Sequence, residues 1–163
     1  MERSQVSTGI DRHSSGPAET RALGRALGRA ALPGTMLALT GPLGAGKTQL
    51  AKGVAQGLDV ESVVNSPTFV LMNEHAGRLR LFHIDAYRLE DPEEAFAAGL
   101  LDERQASGVT VIEWADRLAG WLPDERMDVR IATMPGDDRG RSIELRAHGH
   151  QHEQLLAAIE GPP

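Results

Sequence analysis

No cysteine occurs among the 163 residues, which excludes a disulfide framework and any thiolate metal site. No apolar run reaches the length of a transmembrane helix, and residues 1–15 lack the apolar core of a secretion signal, so a cytoplasmic protein with no membrane partner is expected. Positive charge is in deficit: 17 Lys and Arg stand against 23 Asp and Glu, a formal net charge of −6. Unaided binding to nucleic acid draws on many Lys and Arg contacts to phosphate, so that class is disfavoured except at a local basic patch. There is no internal repeat. The length suits one domain with a real core, expected over residues 16–163. Residues 1–15, rich in Ser, Thr, Gly and charge and without periodicity, are expected to form a disordered tail.

One dense motif is present. Gly41-Pro-Leu-Gly-Ala-Gly-Lys-Thr48 has the two glycines, Lys and Ser/Thr of a phosphate-binding loop. The glycines let consecutive amides from about Gly44 to Thr48 turn inward, where a Cβ would obstruct a phosphate. Lys47 then reaches the β- and γ-phosphates, and the Thr48 hydroxyl is a Mg2+ ligand. A helix opening near Gly46 places the positive end of its dipole under the phosphates. Context agrees: Met36–Thr40 reads as a buried strand entering the loop. Leu50, Ala51, Val54, Ala55 and Leu58 then repeat at helical spacing, with Gly57 as the stop signal. The expected nucleotide contacts are Gly41, Leu43, Gly44, Ala45, Gly46, Lys47, Thr48 and Gln49.

Upstream, Gly16 and Pro17 start a helix whose buried face is Ala22, Leu23, Ala26, Leu27 and Ala30. Its other face carries Arg21, Arg25 and Arg29, either a solvated stripe or a surface for an acidic partner or RNA. Downstream, residues 63–68 form a connecting loop or a switch segment in which Ser66 or Thr68 senses the γ-phosphate or its Mg2+. Phe69–Asn73 and Leu79–Ile84 read as a hairpin, and the second strand runs into Asp85, a Mg2+- or water-positioning carboxylate or else a turn-capping aspartate. Asp91-Pro92 starts a helix bringing Ala95, Phe96 and Leu100 to the core. Val109–Glu113 is a second apolar strand ending in an acid and looks like a Walker B element, whose carboxylate reaches Mg2+. Trp114 is a core anchor or a contact beside the nucleotide; Leu118, Trp121 and Leu122 look like packing. Met127–Ile131 and Ile143–Leu145 alternate as two half-buried strands around a loop, residues 135–140. Leu155, Leu156 and Ile159 indicate a terminal helix.

Lys47, Thr48, Asp85 and Glu113 form a set able to bind ATP or ADP with Mg2+ and to position a water, and hydrolysis needs no protein nucleophile. A GTPase is disfavoured, because no Asn-Lys-x-Asp element exists and Asp137–Gly140 is explained by a turn. A small-molecule kinase and a nucleotide-controlled binding module with little turnover remain as alternatives. For the kinase, the segment 101–108 is short for a substantial lid.

The loop, Ser66-Pro-Thr-Phe69, His83-Ile-Asp-Ala-Tyr-Arg88 and Ile112-Glu-Trp114, in this order and spacing, closely resemble the TsaE family, P-loop ATPases of bacterial tRNA threonylcarbamoyladenosine modification. The resemblance covers about residues 17–147. It implies an α/β fold of the P-loop NTPase kind, a mixed sheet flanked by helices with antiparallel hairpins. It also implies ATP hydrolysis that sustains turnover of a complex with the TsaB and TsaD proteins, tRNA being met through that complex. By position, Lys47 and Thr48 hold phosphate and Mg2+, Glu113 is the Walker B acid, Asp85 a second essential carboxylate, and Ser66 to Thr68 the switch-like segment. Two positions depart from the family: Pro42 stands where many members have Asp, and Gln49 where many have Thr.

Overall fold

The computed structural model describes residues 8–67, 71–97, 99 and 101–160. Seven strands form one mixed sheet in the order β1-β7-β6-β2-β5-β4-β3. The centre is parallel and consists of β6 (Arg126–Met134), β2 (Met36–Thr40), β5 (Val109–Glu113) and β4 (Leu81–Asp85). Antiparallel strands flank it: β7 (Asp137–His148) and β1 (Thr8–Ser14) on one side, β3 (Met72–His75) on the other. The mixed α/β class expected from the sequence is the observed one. β2 and β5 are apolar almost throughout because both faces are covered, as central parallel strands require. Leu37, Leu39, Val109 and Val111 face the core under α1 (Pro17–Ala30), α2 (Lys47–Gly57) and α4 (His150–Glu160), with Leu27, Leu50, Val54 and Leu155 packed on them. Met36, Ala38, Ile84 and Ile112 face a smaller core closed by Ala115 and Leu118. The remaining helix, α3, spans Pro92–Ala97, with the Asp91 carboxylate capping Glu93 N–H as expected.

Several expectations are corrected. Residues 8–14, placed in the tail, form β1 in full register with β7, Thr8 opposite Ala147 through Ser14 opposite Arg141. Residues 1–7 lie outside the described residues. On α1 the expected Leu27 is buried and Leu23 and Ala30 pack on the core, but Ala22 is exposed and the rest of the buried face is Thr20, Gly24 and Gly28. The reason is close approach. A Cβ on Gly28 would overlap the Val54 carbonyl oxygen and one on Gly53 the Arg21 carbonyl oxygen, so α1 and α2 touch backbone to backbone. That contact holds α2, and with it the loop, against the rest of the chain. Arg21 and Arg25 cross the same seam to Gln49 and Gln56 at 2.6 and 3.1 Å. Two of the three stripe arginines are therefore engaged within the molecule, and Arg29 is exposed.

The hairpin strands are displaced by up to three residues from their expected places, to Met72–His75 and Leu81–Asp85, and Asp85 is the last residue of β4. The sequence run blurs because apolar Leu71 and Leu79 lie just outside the strands and lengthen the apolar pattern. β6 and β7 are longer than expected: Met134 opposes Asp137, leaving only Pro135 and Gly136 as the turn. The Asp137 carboxylate accepts the Arg139 and Gly140 N–H groups, which accounts for the Asp-x-x-Gly. Trp121 is 39% exposed. The side chains of Ala95, Phe96 and Leu100, expected in the core, and residues 68–70, including Thr68 and Phe69, lie outside the described residues. Among the described residues, no helix is long and apolar enough to cross a membrane.

Candidate functional site

β2 ends at Thr40, and the chain passes through the glycine-rich loop into α2, whose first residue is Lys47 and whose N-cap, Gly46, has φ 116°. A side chain is strained at that φ. The loop thus lies across the carboxyl ends of the central parallel strands, where sites of open α/β sheets are built. Register brings the two strand-end acids together: Asp85 pairs with Glu113, and Glu113 with Leu39 of β2. Both acids project toward the α2 face, because Val111, two residues before Glu113, packs in that core.

Three elements converge on Glu113, which is 2% exposed. Thr48 Oγ1, in the first turn of α2, donates to Glu113 Oε1 at 2.7 Å. Ser66 Oγ lies 2.8 Å from Thr48 Oγ1 and 3.2 Å from Glu113 Oε2. His83 Nε2, from β4, donates to Oε2 at 2.6 Å. Burial opposes ionisation of Glu113, but the His83 hydrogen bond and attraction, then the Thr48 and Ser66 hydroxyls, outweigh it and hold the carboxyl below its usual range. Asp85 goes the other way. Burial pushes its carboxyl up, and its neighbour Glu113 adds to this, against the opposing Tyr87 N–H, which donates to Asp85 Oδ1 at 2.9 Å. The aspartate both caps a turn and lines the cleft.

Lys47 Nζ donates to the Gly41 and Pro42 carbonyls at 2.6 and 2.9 Å and lies 3.9 Å over the Trp114 ring. Burial lowers its pKa, while Glu113, Asp116 and Asp85 act in the opposite sense. Trp114 reaches this position through a left-handed backbone, φ 59° and ψ 42°. That conformation costs a bulky residue on the order of 1–3 kcal/mol, and it folds the indole back from the end of β5. Tyr87 packs on Trp114 with ring centroids 4.8 Å apart.

These groups enclose a cleft of about 300 Å³ lined by Leu43, Gly44, Gly46, Lys47, Thr48, Gln49, Ser66, Asp85, Tyr87, Glu113 and Trp114. Of the residues singled out from the sequence, Lys47, Thr48, Ser66, Asp85 and Glu113 meet here. Gly41 is below it, through its carbonyl on Lys47, and Ala45 is buried behind the loop. Leu43 stands at the rim, 77% exposed. Across the loop lies a second cleft of about 290 Å³, bounded by Gly16, Thr20, Gly46, Gln49, Asp138 and Arg139 among others. Arg141 Nε donates to the Ala45 carbonyl at 3.0 Å and Nη2 to that of Gly44 at 3.3 Å, tying β7 to the back of the loop.

His83, Tyr87 and Arg141 were given no role on sequence grounds. For His83 a signal existed, a polar residue inside an apolar strand two positions before Asp85 and so on the same face. Arg141 carried none. The arrangement offers hard oxygen donors, Glu113, Thr48 and Ser66, beside an ammonium group. Among the described residues no cluster of three His, Cys, Asp or Glu could itself enclose a metal ion. A cation held here would therefore rely on a bound anion and water for its other ligands, the habit of Mg2+.

Comparison with known proteins agrees over most of the chain. The family model described as threonylcarbamoyl adenosine biosynthesis protein TsaE matches residues 14–143. The protein named tRNA threonylcarbamoyladenosine biosynthesis protein TsaE in Bacillus subtilis is 41% identical over 144 residues, 88% of this chain and 89% of that one. Its namesake in Treponema pallidum is 37% identical over 121 residues, 74% and 90% of the two chains. The crystal structure of Bacillus subtilis YdiB superposes with a TM-score of 0.79 at 32% identity, covering 96% of this chain and 97% of that one.

Proposed function

The chain belongs to the TsaE family of tRNA threonylcarbamoyladenosine biosynthesis, and we propose that within that pathway it is a Mg2+-dependent ATPase that sustains turnover of a complex with TsaB and TsaD. The observation that carries this is the 2.7 Å hydrogen bond between Thr48 and Glu113, which places the loop hydroxyl, the strand-end carboxylate and Lys47 in one cleft. The fit is supported by the loop itself: a Cβ at Gly44 would meet nothing within 4 Å, so the loop faces open space there.

In this assignment Lys47 leaves the Gly41 and Pro42 carbonyls for the β- and γ-phosphate oxygens of ATP, and the loop amides and the N-terminus of α2 receive the remaining charge. Thr48 and Glu113 hold Mg2+, directly or through water, which when bound neutralises charge on the β- and γ-phosphates. Among the described residues the Asp85 carboxylate accepts a single hydrogen bond, from Tyr87 N–H. Its remaining acceptor capacity suits orienting the water that attacks the γ-phosphorus as the bond to the bridging oxygen breaks, yielding ADP and inorganic phosphate. The nucleoside extends over the loop into the second cleft, between Gly16, Thr20 and Gln49 on one wall and Arg139 on the other. Binding to tRNA through the partners rather than directly accords with the net charge of −6.

The test is phosphate release from ATP by the purified protein, alone and with TsaB, TsaD and tRNA. Slow hydrolysis that changes with the partners is expected. Hydrolysis indifferent to them but stimulated by a small acceptor molecule would point to a kinase. Hydrogen bonds to charged groups contribute roughly 1.5–3 kcal/mol, so Lys47→Ala is expected to weaken ATP binding by about 10- to 100-fold in calorimetry. Unchanged affinity would remove the phosphate role from the loop.

A further inference from the structure

The protons around Glu113 do not suffice without the imidazole. Thr48 and Ser66 have one hydroxyl hydrogen each. Thr48 donates its own to Glu113 Oε1. Ser66 can donate to Thr48 Oγ1 at 2.8 Å or to Glu113 Oε2 at 3.2 Å, and the shorter contact takes the hydrogen. Oε2 is then left with one strong donor, His83 Nε2 at 2.6 Å.

His83 is itself fully buried, and its Nδ1 has no hydrogen-bond partner among the described residues. Such a nitrogen costs free energy, so a purely structural site would favour an apolar side chain there. Register fixes where the ring points. His83 lies opposite Val111, two residues before Glu113, so the imidazole stands one pleat beneath the carboxylate and meets it from within the sheet. We propose that His83 is a positioning residue, which pins Oε2 of Glu113 from below so that Oε1 stays turned toward Thr48 and the cleft. This rests on the ATPase assignment for its consequence, but its geometric content does not.

Partners behind a metal-binding carboxylate typically matter by 10- to 100-fold in metal affinity or activity. His83→Leu is therefore expected to lower kcat for ATP hydrolysis by about 10- to 100-fold, with KM within about twofold. It should also abolish most of the gain in ADP affinity that Mg2+ gives, measured by calorimetry, while leaving the Mg2+-free affinity unchanged. In a Glu113→Gln background the same substitution should add little. His83→Gln carries an amide N–H at the reach of Nε2 and should restore most of the rate. His83→Asn is too short and should not, which keeps the comparison available if His83→Leu fails to fold.

A crystal structure of the nucleotide-free His83→Leu or His83→Asn protein separates the two levels. Glu113 turned away from Thr48 is the expected result. A retained contact at the present 2.7 Å would overturn the positioning role whatever the rates. Equal losses in kcat for Gln and Asn, or an equal loss of Mg2+-free ADP affinity, would do the same. Wild-type protein that shows neither hydrolysis nor any effect of Mg2+ on ADP binding would instead overturn the ATPase assignment.

Discussion

Asp85 and Glu113 end neighbouring parallel strands and face each other in register, yet their surroundings treat them oppositely. Glu113 is met by polar groups from three elements, with Thr48 and His83 donating to it, and its carboxyl is held below its usual range despite its burial. Asp85 has burial and a neighbouring carboxylate against it, and its pKa is raised. Two acids whose environments drive their proton affinities apart suit two roles. In the proposed ATPase, one would serve as a fixed charge for a cation, the other as a group that shares a proton with water. The difference originates in packing rather than in residue type, since Thr48 of the α2 N-terminus and His83 hydrogen-bond to Glu113, whereas the Asp85 carboxylate takes its hydrogen bond from the turn at Tyr87.

The largest expected effect comes from the seam that carries α2. Gly28→Ala forces a methyl group onto the Val54 carbonyl and should lower unfolding stability by about 3 kcal/mol, read from a denaturant midpoint. It should also displace Thr48 from Glu113 while leaving the surroundings of Asp85 alone. Wild-type stability in this variant would mean that α1 and α2 can separate at no cost, and that the placement of Thr48 does not depend on the seam. Next is Glu113→Gln against Asp85→Asn in ATP hydrolysis. Each should slow the reaction on the order of 100-fold, but only the first should weaken the dependence of ADP affinity on Mg2+. If the Mg2+ effect falls with Asp85→Asn instead, the two roles are exchanged.

Much of this site was legible because its chemistry is local. The loop needs its glycines, Lys47 and Thr48 at fixed spacing, and each strand-end acid follows an apolar run. What escaped depends on neighbours that lie far apart in sequence. His83 gains a role only when β4 is laid beside β5. Arg141 acts on carbonyls of residues nearly a hundred positions earlier. On α1 the periodicity found Leu27, with Leu23 and Ala30 packed on the core, but it missed Gly24 and Gly28, because it scores alanine and leucine whereas the contact with α2 is made by glycine backbone. β1 was missed because an edge strand exposed on both faces over most of its length shows no alternation, and Ile10 is its one residue packed on the core.

A smaller effect, opposite in sign for the two acids, should appear in ligand-free stability against pH. The raised Asp85 pKa means that its contribution is fully present below the ordinary 3.8 and is lost as pH rises through the folded value. Asp85→Asn should therefore raise the melting temperature at neutral pH, and the gain should disappear in acid. The lowered Glu113 pKa gives the reverse: its contribution is present above the ordinary 4.5 and lost as pH falls through the folded value. Glu113→Gln should lower the melting temperature at neutral pH, with a cost that shrinks in acid. Shifts of about 2–6 °C are in range for a chain of this size. Melting curves that move the same way in both variants would erase the contrast.

The smallest effect isolates how much of the contrast belongs to the Ser66 hydroxyl. Its contact with Glu113 is the longest of the three, and its hydrogen is better placed toward Thr48. Ser66→Ala removes one neutral hydrogen bond, roughly 0.5–1.5 kcal/mol, and leaves both the Thr48 and His83 bonds to Glu113 in place. The melting temperature should fall by a few degrees at most, and the pH profile of that loss should be flat, because the charge on Glu113 is held by the other two donors. A loss as large and as pH-dependent as that of Glu113→Gln would shift the control of the carboxylate from β4 to the segment before residue 68. Glu113 would then owe its ionisation to a loop, and not to the sheet that sets it opposite Asp85.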